Sequence, residues 1–139
     1  MAVIIPNASE QLWLKLVLNH TAAEDQVLKL FVNNIDPDQN STASSFTEAS
    51  GGGYANKTLV GTSWTIVTNT SNEGEATFVA QVFTFTGALD SAATIFGWYL
   101  IQQTSGLLLA SEKISGTLTP ANNGDAITIN PKLQLFSEF

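Results

Sequence analysis

The chain has no cysteine and no arginine, a single histidine and only four prolines in 139 residues. Each scarcity excludes something. Without cysteine there is no disulfide framework, no thiolate metal site and no thiol nucleophile. That suits a reducing cytoplasm, or an assembly made there. Without arginine, and with lysines dispersed at Lys15, Lys29, Lys57, Lys113 and Lys132, there is no basic stripe to neutralise phosphates. The formal net charge of −7 argues the same way against nucleic-acid partners and anionic membranes. No apolar run approaches the roughly 20 residues of a membrane span. The opening MAVIIPNASE lacks the basic flank of a secretion signal, so none is expected. Asn-x-Ser/Thr triplets begin at Asn7, Asn19, Asn40, Asn56 and Asn69, but a chain rich in Asn, Ser and Thr yields these by chance.

Charge is also sparse. Charged residues are 12 % of the chain, about half the usual quarter, while hydrophobic residues reach 44 %. The abundance of Thr, Val, Ile and Phe suits strands. A low charge density also suits a surface that packs against other proteins, where charges are costly to desolvate. The length fits a single domain over residues 1–139 with its own core.

Residues 6–19, PNASEQLWLKLVLN, give the best helix signal, and a short N-terminal helix is expected at about residues 8–19. Asn7 and Glu10 have capping-box spacing, with Ser9 as another cap, and Leu12, Trp13, Leu16 and Val17 form a helical stripe. Leu12, Leu14, Leu16 and Leu18 also alternate, which keeps a strand open. Strands are expected at 26–34, around Trp64, at 76–87, at 96–102 with 107–111, and at 126–135 with a bend at Pro131. Between them lie the turn-rich segment 34–45, the glycine run Gly51–Gly53 and the turn Asn122-Asn123-Gly124-Asp125. Strands recurring at this spacing, without alternating helices, predict a mainly β fold: an antiparallel β-sandwich of jelly-roll type. Trp64, Phe83, Phe85 and Trp98 are expected in its core.

Chemistry is hard to find. His20 has no marked nucleophile or acid partner, so a catalytic triad is not expected. Asp36, Asp38 and Asn40 match the opening of a calcium loop, but Ser41 and Thr47 stand where glycine and a bidentate glutamate are required. An Asx-rich turn is the simpler reading, and no metal or cofactor is expected. Glu73 with Glu75, or Glu112 with Asp125, would be the carboxylate pairs of a small hydrolase. Trp13, Trp64, Trp98 and Tyr99 would be the platform of a sugar-binding module. The reading favoured is no enzyme.

The strongest signal is residues 96–113, FGWYLIQQTSGLLLASEK, two strands around a Thr-Ser-Gly turn. Phe96, Trp98 and Leu100 share one face, Tyr99 and Ile101 the other, and Leu107, Leu108 and Leu109 repeat the two-sided pattern. A half-exposed antiparallel strand alternates apolar and polar residues. A sandwich core covers one face only. The other face, whichever it is, needs the helix, a loop or another subunit as cover. A subunit is the more economical, so self-association is expected, a trimer being favoured, with Trp98, Tyr99, Ile101, Leu107, Leu108 and Leu109 of the two faces as candidate contacts.

Several stretches together resemble a known group: Leu14, Leu18, Asn19 and Thr21; Gly53, Tyr54, Lys57, Thr58, Leu59 and Trp64; Gly97, Trp98, Tyr99, Ser105 and Gly106; and Ala121 to Asp125 with Pro131. The chain resembles small virion-associated structural proteins of tailed bacteriophages, of the type found in cyanobacterial phages. That resemblance implies a capsid decoration or cement protein, bound to the major capsid protein on the virion surface after synthesis in the host cytoplasm. A tail or fibre module that binds a host receptor or carbohydrate is the alternative.

Overall fold

The computed structural model describes residues 2–18 and 20–135 of the chain. Helix α1 spans Asn7–Val17 and starts where Pro6, in extended conformation, supplies a backbone shape from which a helix can begin. No side chain caps it, so the expected Asn7–Glu10 box does not form. Leu12 is buried while Leu14 and Leu18 stand exposed, a helical rather than an alternating pattern.

The remainder is mainly β, with every strand pairing antiparallel. A four-stranded sheet runs β2-β1-β6-β7, built from β1 (Gln26–Phe31), β2 (Lys57–Leu59), β6 (Ile95–Gln102) and β7 (Leu108–Leu118). A three-stranded sheet runs β3-β4-β9, from β3 (Thr65–Thr68), β4 (Gly74–Thr77) and β9 (Lys132–Leu135). A two-stranded ladder joins β5 (Gln81–Thr84) to β8 (Ala126–Ile129).

Two long strands expected from the sequence are each divided. Residues 76–87 contribute to β4 and then β5, and residues 126–135 contribute to β8 and then β9. Both breaks meet at Pro131. Its ring has no N–H to offer a ladder, and its carbonyl accepts the Phe78 N–H at 3.0 Å instead. One continuous pairing thus becomes two short ones, β5 with β8 and β4 with β9.

Leu28 and Leu30 of β1, Trp98 and Leu100 of β6, Phe83 and Phe85, and Ile129 of β8 are buried in one core cluster, so the ladders bury side chains against the large sheet. Trp64 is the exception among the expected core residues. It is half-buried, edge-on to Phe78 at 5.3 Å, with its indole N–H donated to the Gln26 side-chain oxygen at 2.7 Å. β2 covers the outer edge of β1 only as far as Leu28. Beyond it the Leu30 N–H is met by the Tyr54 hydroxyl at 3.1 Å, and the Tyr54 O–H in turn donates to Glu48, which also pairs with Lys29 at 2.8 Å. The three glycines before Tyr54 form a tight corner. All have positive φ, and a Cβ on Gly52 would lie 2.6 Å from the Gly87 carbonyl oxygen.

Candidate binding cleft

The β6–β7 hairpin forms where expected, and both of its faces are covered within the chain. Trp98, Leu100 and Leu109 belong to the main core. Tyr99 and Leu108 belong to a second cluster with Phe31 and Phe46, against which Ile35, Phe96 and Ile101 pack. The Phe46 ring stacks on Tyr99 at 4.7 Å and tilts against Phe31 at 4.9 Å. Of the six candidate subunit contacts, Trp98, Tyr99, Leu108 and Leu109 are buried, and Ile101 and Leu107 are half-buried. The cover comes from the segment that follows β1. Glu48 bridges Phe31, the Val32 N–H donates to Thr47 and the Ala49 N–H to Leu30, so Phe46 is held over the hairpin. The two-sided hairpin therefore gives no reason for a trimer.

β7 is the last strand of its sheet, and an open edge invites pairing. The N-terminal segment occupies part of it. Ile4 and Ser111 exchange both backbone hydrogen bonds, at 2.7 and 3.0 Å. Where Leu100 pairs with Ala110 but Ile101 with Leu108, the register slips by one residue at Leu109. Such a bulge turns successive backbone groups toward the same side. Ser9 of α1, fully buried, meets the result: its Oγ lies 2.9 Å from both the Leu108 and the Leu109 carbonyl oxygens. The helix is thus pinned to the sheet edge by one hydroxyl. Ser9 shares a helical face with Leu12 and Leu16, and a lone serine within that stripe is the signal that marks it as a contact.

Pinning α1 there opens a cleft on each side of it, with Trp13 lining both. The smaller, about 190 Å³, is largely apolar and includes Leu16, Trp64, Ile66 and Leu133. The larger, about 890 Å³, lies between residues 2–5, the start of α1 and β9. Its polar side chains are Glu10, Gln39, Glu112, Asn130, Lys132 and Gln134. Lys132 and Gln134 are engaged, both donating to Glu75, at 3.0 and 2.9 Å. The hydrogen bond from Lys132 holds the Glu75 carboxyl below its usual range, despite some opposing desolvation. Glu10, Gln39, Glu112 and Asn130 make no side-chain hydrogen bond to another described residue, which leaves two carboxylates and two amides directed to solvent and cleft. Glu10 and Glu112 come from opposite ends of the chain, so no local spacing could have paired them.

The other candidates separate. Trp98 and Tyr99 are too deeply buried to serve as a sugar platform, whereas Trp13 and Trp64 reach the same smaller cleft. Asp36 pairs with Lys113 at 2.8 Å, and Asp38 accepts the Asn40 N–H at 2.9 Å within its own turn, as the Asx-turn reading requires. Asp125 closes the turn before β8 by accepting the Ala121 and Asn122 N–H groups, which lower its pKa, and it forms no pair with Glu112. Glu73 and Glu75 do converge, the Asn69 amide donating to Glu73 at 3.1 Å and lying 3.5 Å from Glu75. A glycosidase acid needs a raised pKa, and that of Glu75 is lowered. His20 is exposed at the end of α1, its backbone N–H donated to the Lys15 carbonyl. Among the described residues no group of three or more His, Asp or Glu is placed to hold a metal, and no helix is long and apolar enough to cross a membrane.

No protein-family model, no curated protein and no solved structure matches the chain.

Proposed function

We propose that this chain is a structural protein of a phage virion, a decoration or cement protein seated on the outer capsid shell and bound to the major capsid protein. The reading rests on the resemblance of its aromatic hairpin, its Gly-Tyr…Lys-Thr-Leu…Trp segment and its Ala-Asn-Asn-Gly-Asp turn, and on its low charge. The observation that carries it is where the surplus apolar surface lies. Leu14, Val17 and Leu18 project from the outer side of α1, and Ile66 and Val67 from β3, with Val17 83 % and Ile66 75 % exposed. β3 is an edge strand exposed on both faces, four β-branched residues without a charge. Soluble monomers usually charge, shorten or cover such edges. A shell lattice would cover both patches and multiply weak contacts by avidity. In the same reading, the β3-β4-β9 sheet and the β5-β8 ladder form the second layer of a jelly-roll-like sandwich. Self-association on the virion would use these surfaces rather than the hairpin, with no symmetry favoured.

Mass spectrometry of separately purified heads and tails tests the location. The protein is expected in heads at a constant ratio to the major capsid protein. Recovery in tails alone would overturn the capsid reading in favour of a receptor-binding tail module, which the large cleft beside Trp13 favours.

A further inference from the structure

We infer that the larger cleft is a binding site for a neutral saccharide. This concerns the chemistry of the cleft alone and stands whether the protein resides on the head or the tail. Three observations carry it. The cleft's volume of about 890 Å³ lies within the range of small-ligand sites and can hold a short oligosaccharide. Its free polar groups are of the kind that recognise hydroxyls. The Glu10 and Glu112 carboxylates accept hydrogen bonds from hydroxyls, while the Gln39 and Asn130 amides each donate and accept, as adjacent sugar hydroxyls require. Trp13 adds an apolar surface for the C–H face of a pyranose ring.

The electrostatics narrow the ligand further. Among the described residues Lys132 is the one cation at the cleft, and Glu75 neutralises it at 3.0 Å. Two uncommitted carboxylates remain, in a chain of net charge −7. Phosphate, sulfated glycans and sialic acids are disfavoured by that charge. A cation would be attracted by the carboxylates but would leave the two amides without a role. A neutral, hydroxyl-rich ligand uses all the free groups.

The test is a titration of the full chain followed by tryptophan fluorescence and by ¹⁵N NMR of the side-chain amides. The probes are maltotriose, cellotriose, mannotriose and N,N′,N″-triacetylchitotriose, with spermidine and inorganic phosphate as charged controls. At least one trisaccharide is expected to saturate with a Kd of roughly 1 mM or tighter, shifting the Gln39 and Asn130 amide signals. Trp13 also lines the smaller cleft, so W13A would mix packing with binding; Q39A and N130A, at exposed positions, carry the decision. Each should weaken binding about tenfold with an unchanged melting temperature, the equivalent of about one lost hydrogen bond. The inference is overturned if no trisaccharide saturates by about 10 mM, if spermidine or phosphate binds more tightly than every sugar, or if both variants bind as the wild type does.

Discussion

Gly97 lies at the crossing of β1, β6 and β7 and should be the least replaceable small residue in the chain. Its φ is not positive, so backbone freedom is not the reason; space is. A Cβ built there would lie 2.5 Å from Cζ and 2.6 Å from Cε1 of Phe31, and closer still to the Glu112 carbonyl oxygen. Neither neighbour can yield cheaply. The Glu112 carbonyl belongs to β7, whose register already slips between Ile95 and Gly97, and retreat would open the strand pairing. The Phe31 ring is fully buried and is backed by Phe46 at a centroid distance of 4.9 Å. Overpacking of this kind costs about 1–3 kcal/mol, and loosening one or two ladder hydrogen bonds adds about 1 kcal/mol each. Gly97→Ala is therefore expected to destabilise by about 3–4 kcal/mol, which for a domain of this size lowers Tm by roughly 10 °C. Urea unfolding of wild type, G97A, F31L and the double variant measures both the cost and its source. If the ring is a principal obstacle, F31L should recover part of the loss, so that the double variant costs less than the sum of the singles. A stability for G97A within about 0.5 kcal/mol of wild type would refute the steric argument, and strict additivity would refute the part assigned to Phe31.

The two buried serines at the β7 edge should respond in opposite directions. Ser9→Ala removes the donor shared by the Leu108 and Leu109 carbonyls and should cost about 1–2 kcal/mol, whereas Ser111→Ala removes a buried hydroxyl without a partner and should leave stability unchanged or raised by about 1 kcal/mol. Equal losses in denaturant titrations would contradict the hydrogen-bond assignment. Tyr99 is buried, and desolvation, with a smaller contribution from the Glu48 charge, pushes its hydroxyl from 10.0 up to about 12. A raised pKa gives stability that is complete below the unfolded value and is lost as pH rises from about 10 toward 12. Roughly 3 kcal/mol should disappear over that window. Tyr99→Phe should flatten the corresponding fall in Tm, and an identical alkaline profile in both proteins would count against the burial of that hydroxyl as its cause. Calcium or a chelator should leave Tm unaltered because Asp36 and Asp38 are engaged by Lys113 and by their own turn; a rise of several degrees with calcium would reverse that reading.

Much of the fold was legible because its signals are local. The helix, the hairpin and the Asn-Asn-Gly-Asp turn each declare themselves within fewer than twenty residues, and short connections account for the antiparallel pairing of β3 with β4 and of β6 with β7. The divided strands were not legible in the same way. Pro131 marks a disturbance, but which strand receives each half depends on Phe78, more than fifty residues earlier in the chain. The cleft was illegible for the same reason: Glu10 and Glu112 line one cleft only because Ile4 pairs with Ser111 and Ser9 lies against the bulge.

The hairpin shows where local pattern alone misleads. Two-sided apolar strands state that two covers are needed, not where either comes from. The second cover here is built around Phe31 and Phe46, the latter a lone aromatic between TASS and TEAS with no period to announce it. Yet the demand for a partner does not vanish with that correction. A chain with 44 % hydrophobic residues, having used Phe46 on the hairpin, leaves Leu14, Val17 and Leu18 on the outside of a helix whose other side already faces the sheet. Ile66 and Val67 remain on β3, paired with β4 on one side and with no described strand on its outer edge. The surplus apolar surface inferred from composition is present, displaced from β6 and β7 to α1 and β3. A partner search that mutates Leu108 or Ile101 would therefore perturb the fold, whereas Val17→Asp and Ile66→Asp probe contact without touching the core.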